Sequence, residues 1–173
     1  MTVEANTRLN NVDIDAVGGL VAAVGADPAK GQTTWAAHVG WKGGFASEAR
    51  VRKFAAIPSD EPSALGGADT APNPVEQLLA ALGNCLAVGY AANATIAGIR
   101  IDDLRIDVKG DLDLHVFLGL AQGHAGFESI TATVSIDSDA TREQLEDLHT
   151  KVQSSSPVGH TLRTAVPVDI TLA

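Results

Sequence analysis

The stretch Asn73–Ile99, NPVEQLLAALGNCLAVGYAANATIAGI, decides how the rest of the chain is arranged. It has no proline after Pro74, and small or apolar residues recur on every face: Leu78, Leu79, Ala81, Leu82, Leu86, Val88, Ala91, Ala92 and Ile96. A helix apolar all round is covered all round. At about 1.5 Å per residue it spans roughly 35–40 Å, a domain diameter, so the flanking segments must wrap it. Asn73-Pro74-Val75-Glu76 has the pattern of a capping box, with Asn73 as N-cap and Glu76 closing it. The helix also carries Cys85, the one cysteine of the protein.

Working outward, the N-terminal residues 1–11 are polar and expected to fray. A short helix is predicted over Asn11 to Val24, with Asp13 and Asp15 in its first turn. Thr33 to Trp41 and Phe45 to Phe54 alternate as strands, joined by Lys42-Gly43-Gly44, whose glycines tolerate the positive φ of a tight hairpin. Glu48, Arg50 and Arg52 give the second strand one charged face. Ile57 to Pro72 reads as a loop rich in Pro, Asp and Gly, and long loops inside compact domains are commonly functional.

After the helix, Ile101 to Val108 alternates, with Leu104, Ile106 and Val108 on one side. Phe117 to Phe127 is Gly-rich. Glu128 to Asp137 is a strand with Ile130, Ala132, Val134 and Ile136 facing one way. A helix capped by Asp139 or Thr141 carries Leu145, Leu148 and Val152. Ser156 then caps a further short helix with Pro157 at its first position, and Ala165 to Leu172 is predicted as a terminal strand. The class is α+β, mostly antiparallel strands around one dominant helix. A few strands cannot cover both sides of that helix, so a second copy is expected to complete it as an intertwined homodimer.

The 173 residues suit one domain, read as an N-terminal extension over 1–30 and a main domain over 31–173. Apolar residues make up 45% but aromatics only 4%, so the core is built from Ala, Val, Leu and Ile. A net charge of −9 repels phosphate backbones and argues against a nucleic-acid partner. A lone cysteine excludes an intrachain disulfide. The five histidines (His38, His115, His124, His149, His160) include no pair spaced to share a helical face, so no metal site is expected. Gly83-Asn84 and Asn93 interrupt the one apolar run of membrane-spanning length, and no leader pattern opens the chain. The expectation is a cytoplasmic protein with no membrane partner.

Cys85 has two readings. A buried cysteine often serves as a small hydrophobe, and burial among Leu and Val makes a thiol less reactive. Chemistry at Cys85 needs a charged partner. Glu76 is the nearest acid, but nine residues at about 100° each put it on the opposite face, roughly 13 Å along the axis. Either the helix breaks near Gly83, or Glu76 of one chain serves Cys85 of another.

The run Leu65-Gly66-Gly67, then Asn73 through Cys85, resembles the central-helix signature of the OsmC/Ohr superfamily. Ser156-Pro157-Val158-Gly159-His160-Thr161-Leu162, followed by Val166-Pro167-Val168, resembles its second signature. The resemblance covers roughly Thr33 to Leu172. It implies an OsmC-like homodimer with sheets shared around two long helices. In its peroxidase members a thiolate, activated by an arginine and a glutamate, attacks an organic hydroperoxide. A second cysteine then closes a disulfide that dithiols reopen. Cys85 matches the attacking position and Glu76 the glutamate. The residue before Pro157, where those peroxidases carry the second cysteine, is Ser156. Their arginine comes from the early hairpin, where this chain has Lys42, with Arg50 and Arg52 nearby.

The resemblance therefore implies reduction of organic hydroperoxides by a single cysteine, with an external thiol as reductant and no cofactor. The alternatives are a non-redox dimer that binds a small apolar or thiol ligand, or an enzyme that turns Cys85 on another electrophile.

Overall fold

A computed structural model of the protein describes residues 8–172. The elements in chain order are α1 (Ile14–Ala26), β1 (His38–Gly43), β2 (Ala46–Arg50), β3 (Ile57–Ser59), α2 (Pro74–Ile96), β4 (Asp103–Leu112), α3 (Leu114–Phe117), β5 (Phe127–Asp137), α4 (Arg142–Ser155) and α5 (Pro157–Arg163). They fall into two compact units, Asp15–Leu78 and residues 8–14 with 79–172.

In the first unit β1, β2 and β3 form an antiparallel meander. Val39, Ala49 and Ile57 lie in one cross-strand row, and Trp41, Ser47 and Ser59 in the next. Paired residues share a face, so this face is apolar, and Val39, Trp41 and Ile57 are exposed on it. The other face carries His38, Glu48 and Arg50, the charged side expected from the alternation. The first strand begins at His38 rather than Thr33, and the second ends at Arg50 rather than Phe54. Gly43 and Gly44 turn the hairpin at φ of 107° and 55°.

The expected loop Ile57 to Pro72 is more structured than its composition indicates. It opens with β3 and holds a 3₁₀ turn at Ser63–Leu65. Asp60, buried, staples it. The carboxylate accepts from the backbone N–H groups of Glu61 (2.9 Å), Ala68 (3.1 Å) and Thr70 (3.2 Å) and from the Thr70 hydroxyl (2.9 Å). The Thr70 hydroxyl, with these backbone donors, holds the Asp60 carboxyl below its usual value against the opposing pull of burial. Gly67 is required there, since a Cβ would stand 1.8 Å from the Glu61 carbonyl oxygen. The loop ends in the expected capping box: Asn73 Oδ1 accepts from the Glu76 N–H (3.0 Å) and Glu76 Oε2 from the Asn73 N–H (2.9 Å).

In the second unit β4 and β5 form a long antiparallel ribbon. Leu104, Ile106 and Val108 pair with Ile136, Val134 and Ala132, so one face is apolar as the alternation predicts. That face packs on a core of Leu82, Leu86, Tyr90 and Ala94 from α2 with Leu148 and Val152 from α4. Gly89 lets α2 and α4 close up, because a Cβ there would lie 3.0 Å from Val152 Cγ1. α2 stops at Ile96, and Gly98 just beyond it (φ 72°) turns the chain so that the Ile99 N–H returns to the Ala94 carbonyl (2.8 Å). By length and composition α2 is apolar enough to cross a membrane, despite Gly83-Asn84 and Asn93; here its Leu82–Ala94 side forms the core of this unit.

Three expectations change. Residues 8–11 are anchored rather than frayed: Asn10 donates to Thr95 Oγ1 (3.1 Å) and the Ile99 carbonyl (2.9 Å) and accepts from the Ile101 N–H (2.9 Å). Residues 1–7 lie outside the described residues. Residues 165–172, predicted as a terminal strand, pair with no strand among the described residues. Finally, α2 is not covered all round, and Val88 is 70% exposed.

The Asp60 staple makes acid lability specific. A carboxyl whose folded pKa is depressed contributes stability above its unfolded value of about 3.9 and loses it as pH falls through the lower folded value. The urea stability gap between wild type and Asp60→Asn is expected to be full at pH 7 and to shrink below about pH 4. A gap constant from pH 7 to pH 3 contradicts this.

Candidate functional site

Cys85 sits half-buried in the middle of α2, which runs unbroken past Gly83. The first of the two routes from Glu76 to Cys85, a break in the helix, is therefore closed. Glu76 lies more than two turns upstream on the opposite helical face, and its carboxylate closes the capping box.

Ser156 is brought to Cys85. It occupies the joint between α4 and α5, buried, as C-cap of one helix and N-cap of the next. Its Oγ accepts from the Gly159 N–H (3.1 Å) and stands 3.3 Å from Cys85 Sγ. Either group can donate across that contact: the Ser156 oxygen keeps a second lone pair beside the one that takes the Gly159 N–H, and its hydrogen can also turn to sulfur. Pro157 holds the first position of α5 as predicted, with no N–H to satisfy.

The three candidate cations of the early hairpin belong to the other compact unit, and each has a local partner. Lys42 Nζ and Arg50 Nη2 both reach Glu48 Oε1 at 2.8 Å. Lys42 and then Arg50 hold the Glu48 carboxyl below its usual value. The Arg52 guanidinium lies 4.7 Å from the Phe54 ring centroid. Among the described residues no group of three His, Cys, Asp or Glu side chains is placed to hold a metal ion.

Sequence reasoning missed a polar chain one turn along from Cys85. The buried Tyr90 hydroxyl meets His149 Nδ1, and His149 Nε2 meets the Gln153 side-chain amide. The Tyr90 and His149 rings stack with centroids 6.1 Å apart. Burial pushes the Tyr90 phenol above its usual value. The helical spacing of His149 and Gln153 was visible in the sequence, but nothing marked Tyr90 as their partner.

The sequence model of the family described as OsmC-like protein matches residues 66–171, more than half of the chain. The chain belongs to the OsmC family. The fold agrees. An OsmC-like protein from Mycoplasma pneumoniae superposes with a TM-score of 0.67 at 19% identity, covering 76% of this chain and 89% of that one. An organic hydroperoxide resistance protein OsmC from Legionella pneumophila gives 0.59 at 18%, over 76% and 92%. An organic hydroperoxide resistance protein from Elizabethkingia anophelis gives 0.59 at 19%, over 76% and 91%. No curated protein matches the chain. In this chain the cysteine of the central helix lies against the joint of α4 and α5, where Ser156 presents a hydroxyl.

Ser156 carries a cap as well as the contact to sulfur. Ser156→Ala is expected to cost about 1 kcal/mol and to lower the thermal midpoint by roughly 2–4 °C, measured by circular dichroism. An unchanged midpoint means the cap contributes nothing.

Proposed function

We propose that this OsmC protein is a one-cysteine, thiol-dependent reductase of organic hydroperoxides. The observation that carries the reading is Cys85, the only sulfur nucleophile in the chain, half-buried on the family's central helix with the Ser156 hydroxyl 3.3 Å away. The Cys85 thiolate attacks the outer oxygen of the peroxide. The O–O bond breaks, the alkoxide takes a proton and leaves as the alcohol, and Cys85 becomes a sulfenic acid. The sulfenic acid condenses with an external thiol, releasing water and forming a mixed disulfide. A second thiol attacks that disulfide and returns Cys85. Ser156 has no sulfur to close an internal disulfide; it offers a hydrogen bond to the sulfur at each stage. Glu76 is assigned the supporting carboxylate, supplied to the partner's sulfur, because one straight helix does not bring it to its own.

The same reading includes a second copy of the chain. Ala81, Cys85, Val88 and Ala92 follow one another at alternating spacings of four, three and four along α2, the seam of a helix pair. Ala81 and Val88 are exposed there. Val166, Val168, Ile170 and Leu172 of the tail are exposed too, as an alternating apolar row fit to join another sheet.

Direct measurements test these statements. With cumene hydroperoxide, Cys85 is expected to yield a dimedone adduct, and thiol-dependent peroxide consumption is expected to fall at least a hundredfold in Cys85→Ser. Ser156→Cys is expected to shift the reductant preference from monothiols to dithiols. Peroxide consumption that survives Cys85→Ser sinks the reading, and an unmodified Cys85 leaves the ligand-binding alternative in its place. In sedimentation equilibrium the wild type is expected at about twice the 17.8 kDa of the chain, and Val88→Glu near the single mass; a monomeric wild type removes the second copy.

A further inference from the structure

A cleft of about 430 Å³ opens between α2, β5 and the α4–α5 corner, lined on α2 by Leu82, Leu86 and Tyr90 rather than by Cys85. Its floor is apolar: Leu82 and Leu86 from α2, Ile130 and Val134 from β5, and Leu162 from α5. The far end is closed by Tyr90, whose hydroxyl is already engaged by His149. His149 has both ring nitrogens occupied, by Tyr90 and Gln153, so neither calls for a ligand.

Arg163 differs. It lines the cleft from the end of α5, and its Nη1 donates one N–H to the Gln153 carbonyl (3.1 Å). Among the described residues no ion pair engages it, whereas Arg8, Lys42, Arg50, Arg100, Arg105 and Arg142 each hold a carboxylate. Lys30, Arg52, Lys53, Lys109 and Lys151 also form no ion pair among the described residues; what sets Arg163 apart is that it lines a cleft whose floor is apolar. A guanidinium fork matches a carboxylate with two parallel hydrogen bonds. The one carboxylate lining the cleft, Glu128, is not paired with it.

We propose that this cleft binds a medium-chain monocarboxylic acid, with the carboxylate on Arg163 and the hydrocarbon along Leu82, Leu86, Ile130 and Val134. The size agrees. At about 30 Å³ for each water-sized group, 430 Å³ holds a straight-chain acid of about ten carbons. It also lies within the range of small-molecule sites, which pair apolar walls with a few placed polar groups. The Tyr90–His149–Gln153 chain closes the polar wall without demanding a second head group, which favours a single acid over a diacid. The site does not use Cys85, so it stands apart from the hydroperoxide reading.

Calorimetric titration of the full chain with decanoate, 1-decanol and decyltrimethylammonium, all below their micelle concentrations, tests the proposal. Decanoate is expected to bind at least tenfold more tightly than decanol, and the ammonium more weakly than both. Arg163→Gln should bring decanoate to the decanol level and leave decanol unchanged; Arg163 is exposed, so folding is not at risk. Ala132→Trp, from a position lining the cleft, should weaken both. Cys85→Ser should leave decanoate binding intact, so a failed peroxidase reading and a failed acid site give different results. Equal affinity for acid and alcohol, indifference to Arg163→Gln, or no decanoate binding because a second copy fills the cleft each overturns the proposal.

Discussion

The close approach of α2 and α4 at Gly89 and Val152 sets the rest of the second unit. A Cβ at residue 89 would stand 3.0 Å from Val152 Cγ1, tighter than ordinary packing. With that contact made, the two helices run past each other in opposite directions. One turn back on α2 is Cys85; one turn on along α4 is Ser156, and their heteroatoms meet at 3.3 Å. Close to the Gly89 contact, Tyr90 faces His149 on the preceding turn of α4. A bulkier residue at 89 would move α4 outward and separate both pairs. The sulfur's neighbour is thus fixed by a packing contact that contains no polar atom.

What the sequence made legible follows the range of the interactions. α2, the capping box of Asn73 and Glu76, the Ser156-Pro157 start of α5 and the β5 alternation all rest on neighbours a few residues away, and all were read. The features that escaped depend on groups that no local sequence pattern brings together. Asn10 is tied to Thr95, Ile99 and Ile101 across more than eighty positions, and no local pattern announces that. Asp60 looked like an ordinary polar loop residue until four donors converged on it. The tail shows the reverse error. Val166, Val168, Ile170 and Leu172 alternate as a strand should, yet strand formation needs a ladder partner, and none of the described residues supplies one.

The candidate site divides in the same way. That Cys85 and Ser156 would meet was implied by the family resemblance, and the helix register explains it physically. Glu76 was singled out as the nearest acid and by the family resemblance, and its spacing from Cys85, with α2 unbroken at Gly83, keeps it from the sulfur of its own chain. Lys42 and Arg50 were singled out for charge, but both spend it on Glu48. Arg163 attracted no attention in the sequence, because an arginine at the end of a short helix ordinarily serves the helix dipole.

A hydroxyl at position 156 is a compromise between two demands. As an N-cap, serine is among the best residues, and a thiol is a weak acceptor for the Gly159 N–H. As a redox partner, serine is inert. The chain therefore has a firm α5 start where a second cysteine would have supplied an internal reductant. Under the one-cysteine reading, that exchange moves the demand to access: a thiol from solution must reach a half-buried sulfur on the stripe that a second copy would cover. Ala81 and Ala92 on that stripe are small, which lets helices approach closely, while Val88 projects. Under the same reading, a Glu76 supplied by the second copy requires the two α2 helices to cross near Ala81, on the N-terminal side of Cys85, and the small side chain there suits that close approach.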